Sequence, residues 1–150
     1  MIDYRQVLLD LKTLVEASST VYDPLGTTKF QAVKLNANDR DYVTMNMPML
    51  DIRLKRAVPD ARTNSTYYVE VILELEVAVF DLTSLDDAAT IRDGLVNALQ
   101  TLLQANPRFS SVIETTILGN VDFATGEDDK SGAFLSGAVM ELHVFTYSDR

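Results

Sequence analysis

Between Tyr67 and Phe80 the chain alternates with a period of two. Tyr67, Val69, Val71, Leu73, Leu75, Val77 and Val79 occupy every second position. Successive side chains of a strand point to opposite faces, so these seven line one face. The other face carries Tyr68, Glu70, Ile72, Glu74, Glu76, Ala78 and Phe80, acidic in its middle and apolar at its ends. Such a mixed face predicts a half-buried antiparallel strand rather than a parallel strand covered on both sides. Its fourteen residues exceed the usual strand of about 5–6.

The remaining pattern places seven further elements around this strand. Val7, Leu8, Leu11, Leu14 and Val15 recur at three- and four-residue spacing and predict a helix over Tyr4–Ala17. Asp3 serves as its N-cap, with Gln6 three residues on as in a capping box. Residues 21–47 carry turn punctuation at Pro24 and Gly26, a short strand near Phe30–Leu35, a polar tip at 36–41 and a second short strand over Tyr42–Met47. A strand over Met49–Arg56 puts Leu50, Ile52 and Leu54 on one side and Asp51, Arg53 and Lys55 on the other. It pairs as a hairpin with the long strand, which brings Arg53 and Lys55 near Glu70, Glu74 or Glu76.

A second helix is expected over Leu85–Ala105. Ser84 caps it, Asp86 and Asp87 fill its first turn, and Asn106-Pro107 stops it. Its buried stripe reads Leu85, Ala88, Ile91, Leu95, Ala98, Leu99 and Leu102, and a close approach to the sheet is the expected reason for Gly94. A strand over Ser111–Phe123, with Ile113, Thr115, Ile117, Gly119, Val121 and Phe123 on one face, leads through a polar turn at 125–132. The last strand spans Ala133–Tyr147. Hairpins on either side of a crossover helix indicate one α+β domain over residues 1–150. Its sheet is antiparallel or mixed, of about four to six strands, with two helices on one face.

Composition changes this picture little and charge changes it more. The 150 residues include no cysteine, which excludes disulfides and thiol chemistry. No apolar run is long enough to span a membrane and the N-terminus has no secretory pattern, so the expected location is cytoplasmic. The net charge is −9, yet residues 29–63 carry seven bases against four acids, leaving −12 on the remainder. No concentrated basic surface of the kind that grips a duplex stands out. The asymmetry fits self-association of a basic edge with an acidic face, or simply a solvated surface.

Specific chemistry is hard to find. His143 is the single histidine, in a strand beside Glu141 and Phe145, with no partner that would make it a catalytic base. Glu127-Asp128-Asp129 lacks the spacing of a calcium loop. Gly119, Gly126, Gly132 and Gly137 match neither a phosphate loop nor a dinucleotide fingerprint. The expectation is therefore no enzyme, no metal and no cofactor.

Several features together resemble the tail-completion, or tail-terminator, proteins at the neck of long-tailed bacteriophages. They are the opening helix Asp3–Ala17, the Glu-studded strand Tyr67–Phe80, the helix Thr83–Ala105 with Ile91-Arg92-Asp93-Gly94-Leu95 at its centre, and the closing hairpin Val112–Tyr147. The resemblance implies a virion protein that forms a homo-oligomeric ring, six-membered in that family. Such a ring ends tail-tube growth, joins the tail to the head connector and lets DNA pass without specific binding. It also implies contacts between unlike surfaces. Arg53, Lys55, Arg56, Glu70, Glu74 and Glu76 are the expected interface residues, and Asn38, Asp39, Arg40, Glu127, Asp128 and Asp129 the expected docking loops. The alternatives are another neck or tail ring subunit, such as a head-closure or tube protein, and a small α+β enzyme or ligand-binding domain acting through His143 and Glu141.

Overall fold

The computed structural model describes residues 3–38, 41, 47–61, 66–81, 84–127 and 134–149. In chain order the elements are α1 (Tyr4–Glu16), β1 (Ala32–Leu35), β2 (Met49–Ala61), β3 (Thr66–Asp81), α2 (Leu85–Ala105), β4 (Thr115–Glu127) and β5 (Phe134–Asp149). The strands form one sheet in the order β1-β2-β3-β5-β4. β1 runs parallel to β2, and every other pairing is antiparallel. The fold is α+β with a mixed sheet. α2 links β3 to β4 across the intervening β5, a split β-α-β arrangement.

Local chemistry sets the helix bounds. The Asp3 carboxylate accepts from the Gln6 amide at 3.0 Å, and the Ser84 hydroxyl accepts from the Asp87 amide at 3.0 Å. Each satisfies one of the donors that a helix start leaves unpaired. The Gln6 side chain does not close the capping box and bonds Asp10 instead.

Both helices lie on one face of the sheet, α1 against β1 and β2, α2 against β3, β5 and β4. Leu50, Ile52, Val71, Leu73, Leu75, Val77, Met140, Leu142 and Val144 point inward. They meet Val7, Leu11 and Val15 of α1 and Ala88, Leu95, Leu99 and Leu103 of α2. Burial of this apolar set, at about 25 cal/mol per Å², is what holds the two layers together.

Four sequence expectations need correction. β4 begins at Thr115 rather than Ser111, because residues 107–114 form turns in which Ile113 is buried without pairing. A bulge between Leu118 and Val121 then breaks the alternation. Ile117 faces away from the helices, opposite His143, whereas Val121 and Phe123 pair with the inward Met140 and Ala138. The expected turn at 125–132 is shorter on its strand side, since Thr125, Gly126 and Glu127 still pair with β5. Gly94 is exposed, and a Cβ added there meets nothing within 4 Å, so no close approach to the sheet explains it. The short strand expected over Tyr42–Met47 lies, but for Met47, outside the described residues; Met47 itself is buried and unpaired.

Candidate functional site

The face of the sheet turned away from the helices carries a polar network that spans three strands. β2, β3 and β5 supply it from alternate positions. Asp51 is fully buried. Its Oδ1 accepts from the Ala37 amide at 2.9 Å, and its Oδ2 accepts from Arg53 Nη1 at 2.9 Å. Arg53 reaches on to Glu74 at 3.5 Å and Glu76 at 2.8 Å. Lys55 lies 3.5 Å from Glu74 and 2.7 Å from Glu141. Glu141 is 3.4 Å from His143 Nε2, and His143 Nδ1 is 2.5 Å from Glu70. The network thus runs without a break from Asp51 on β2 to Glu70 on β3.

A bulge between Leu54 and Arg56 shapes its β2 side. Arg53 pairs with Glu74 and Arg56 with Ile72, so Lys55 is the extra residue, and it reaches over β3 to Glu141 on β5. Gly119, in the β4 bulge, is needed for close approach on the far side. A Cβ there would fall 2.9 Å from His143 Nε2 and 3.0 Å from Glu141 Cβ.

Electrostatically the face is mildly acidic. Asp51, Glu70, Glu74, Glu76, Asp122 and Glu141 outnumber Lys34, Arg53, Lys55 and Arg56. The hydrogen bond from Lys55 holds the Glu141 carboxyl below its ordinary value of 4.5, and the same bond raises Lys55 above its ordinary 10.5. Among the described residues no group of three or more His, Asp or Glu side chains is placed to hold a metal ion. Both His143 ring nitrogens face carboxylates, and the cavity on this face lies elsewhere.

That cavity is an apolar hollow of about 300 Å³ at the end of the sheet where β3 finishes and β5 begins. Its floor is Ala78, Gly137, Ala138 and Ala124, its walls Phe80, Leu135 and Val139, and its polar rim Glu76 and Asp122. The cause is one row of paired residues across all five strands, Ala32–Met49–Ala78–Gly137–Ala124. Three neighbours in that row are Ala or Gly, so the face dips there. On its β2 side the row is covered, since Met47, Met49 and Ala78 form a small second core with Ala32, Ala37 and Phe80 against it.

No family model matches the chain, and no curated protein matches it. A solved structure does. The chain is similar to one from the "Virion of native gene transfer agent (GTA) particle", with a TM-score of 0.57 and 11% identity. The match covers 95% of this chain and 99% of that one. At this identity the likeness shows a shared fold.

Of the residues singled out in the sequence, Arg53, Lys55, Glu70, Glu74 and Glu76 come together in the network, and Arg56 sits at the bulge on the same face. The cross-strand pairing expected of Arg53 and Lys55 with Glu74 and Glu76 is present, while Glu70 pairs with His143 instead. Asn38 follows the Ala37 amide that caps Asp51, and its own amide donates to Asp41 at 3.0 Å. Glu127 ends β4; Asp39, Arg40, Asp128 and Asp129 lie outside the described residues.

Sequence reasoning missed Arg92. Buried beneath α2, it bonds Asp93 at 2.9 Å and Ser136 Oγ at 3.2 Å, and stacks 4.9 Å from the Phe123 ring centre. Position 92 falls on the helical stripe of Ala88, Leu95 and Leu99, and that periodicity was the available signal.

Proposed function

We propose that this chain is a structural subunit of a tailed, phage-like particle, and within that class a tail terminator or completion protein. In this reading it is non-catalytic. It assembles into a homo-oligomeric ring at the head–tail junction, ends growth of the tail tube and joins the tail to the head connector, with DNA passing through. Its place is the virion, and the host cytoplasm during assembly. The observation that carries the proposal is the end-to-end fold likeness to a chain of a gene transfer agent virion, over 95% of this chain. The element order that resembles the tail-terminator family supports the finer assignment.

The acidic sheet face is consistent with a conduit for a polyanion, because a negative wall does not retain it. Subunit contacts through Arg53, Lys55, Arg56, Glu70, Glu74 and Glu76 belong to the same reading, as do docking contacts through Asn38, Asp39, Arg40, Glu127, Asp128 and Asp129. The intrachain pairs of Arg53 and Lys55 narrow the first of these. A neighbour has to compete with Asp51, Glu74, Glu76 and Glu141 for them.

The test is reconstitution. Purified protein is sized by light scattering and imaged by electron microscopy, then added to polymerising tail-tube protein. Rings that cap the tubes and fix their length support the terminator reading. Incorporation along the tube wall would move the chain to the tube proteins, and binding only to head connectors would make it a head-closure subunit.

A further inference from the structure

The hollow on the uncovered face has a counterpart at the opposite edge of the sheet. Leu25 is 92% exposed, more than any other large apolar side chain among the described residues. It sits on a turn whose shape is fixed by hydrogen bonds. Its own amide donates to Asp23 Oδ1 at 3.0 Å, the Gly26 amide donates to Asp23 O at 3.0 Å, and Gln31 Nε2 donates to Gly26 O. The base of the turn is closed by Asp23 N to Phe30 O at 2.9 Å and Phe30 N to Val21 O at 2.8 Å. An apolar side chain held out on a stiff turn loses little further freedom when a partner covers it.

The turn joins the sheet at the row of residues that makes the hollow. Gln31 donates to Pro48 O at 2.8 Å, and the next residue, Ala32, begins the row that ends at Ala124. The turn that exposes Leu25 therefore lies next to the start of β1, an edge strand, and the hollow opens across β3, β5 and the β4 edge, at the same end of the sheet. Knob and hollow lie on opposite flanks of one subunit, as a head-to-tail contact requires. Charge agrees. Lys29 shares the turn with Leu25, and its ammonium bonds only the Ser19 carbonyl oxygen among the described residues; Glu76 and Asp122 rim the hollow. Size agrees as well, because about 300 Å³ exceeds the roughly 150 Å³ that holds a benzene ring.

We infer that Leu25 of one copy seats in the Ala78–Gly137–Ala124 hollow of the next copy, with Lys29 beside the Glu76 and Asp122 carboxylates, and that this contact closes the ring. The inference rests on the ring reading above and names its interface.

The chain has no cysteine, which makes a direct test simple. Leu25→Cys and Ala124→Cys are made singly, both positions being exposed, and are treated with a short bismaleimide alone and mixed. Cross-linked dimer is expected only in the mixture, and the double variant should give a ladder ending at a closed oligomer. Leu25→Asp and the hollow-filling Ala124→Phe should each raise the concentration needed for assembly by about tenfold or more, the loss of one interface anchor. Circular dichroism checks that each remains folded. Native rings in the microscope, with no product in the mixture and with Leu25→Asp assembling normally, would overturn the contact and leave the ring reading intact. Product from Leu25→Cys alone would mean a two-fold contact and overturn it too. Native protein that neither assembles nor cross-links in any combination would overturn the contact and the ring together.

Discussion

The two faces of the central strand use the same backbone and opposite chemistry. On the helix side of β3, Val71, Leu73, Leu75, Val77 and Val79 are buried in the core, with α2 packed against the strand. On the other side Glu70, Glu74 and Glu76 are held half-exposed by Arg53, Lys55 and His143, with Ile72 and Ala78 buried among them. The first face derives its stability from area removed from water, which pH does not titrate and salt does not screen. The second derives little from charge, since exposed ion pairs contribute about 0–1 kcal/mol each. What its network supplies is a defined, acidic, water-facing surface whose side chains are already oriented by their neighbours. A sheet covered on both faces would have no such surface to offer an assembly.

Substitutions that touch one face at a time separate these roles, and the helix side should respond most strongly. Leu73→Ala removes a fully buried side chain from the centre of the core. It should cost about 2–5 kcal/mol in denaturant unfolding, and the cost should be the same at low and high salt. A cost under 1 kcal/mol would mean that the core collapses around the gap and that the faces differ less than their burial implies.

Asp51→Ala is the equivalent cut on the open face. It strands the Ala37 amide and removes one partner of Arg53. Leaving such a part-buried donor unmet should cost about 1 kcal/mol, at the low end of the range for a fully buried one. Asp51→Asn should recover part of this through the Ala37 bond alone. Equal losses in both variants would show that the charge, rather than the amide cap, matters at Asp51.

How much of this contrast was legible follows from range. Alternation over 67–80 displays both faces of β3 directly, because a strand's own sequence fixes which side each residue takes. Ser84 and Asn106-Pro107 bracket α2 for the same local reason, and the observed helix is Leu85–Ala105. The hidden features depend on pairing between distant segments. That Lys55 would reach Glu141, 86 positions away, required the β3–β5 register. The β4 bulge was invisible because alternation reads smoothly through Ile117, Gly119 and Val121 until the partner strand shows a residue skipped. The hollow is a property of a row drawn from five strands, and no stretch of sequence contains it.

Gly94 offers a control that leaves both faces untouched. It is exposed in the middle of α2, and a Cβ there meets open space. Gly94→Ala should therefore stabilise the fold by about 0.5–1 kcal/mol, through helix propensity and a less disordered unfolded chain. Assembly should be unchanged. A destabilised variant would mean that α2 is contacted on its outer side, and a stable variant unable to assemble would place a partner there.

The smallest effect should come from Lys55 and Glu141, and its sign is set by the shifts. Glu141 is lowered by its hydrogen bond from Lys55, so its contribution to stability is present above 4.5 and is lost as pH falls through the lowered folded value. Lys55 is raised by the same bond, so its contribution is present below 10.5 and is lost as pH climbs through the raised folded value. Between these limits the pair should be flat with pH. Both groups meet solvent, so added salt should weaken the pair, in contrast to the core. Glu141→Gln and Lys55→Met, compared with the double variant across pH 3 to 11 at two salt concentrations, isolate the coupling. A coupling that vanishes at high salt and at both pH extremes would confirm a surface network oriented rather than stabilised by charge. A coupling that persists in high salt would mean that this part of the face is shielded from solvent, and the contrast between the two faces would then have to be redrawn.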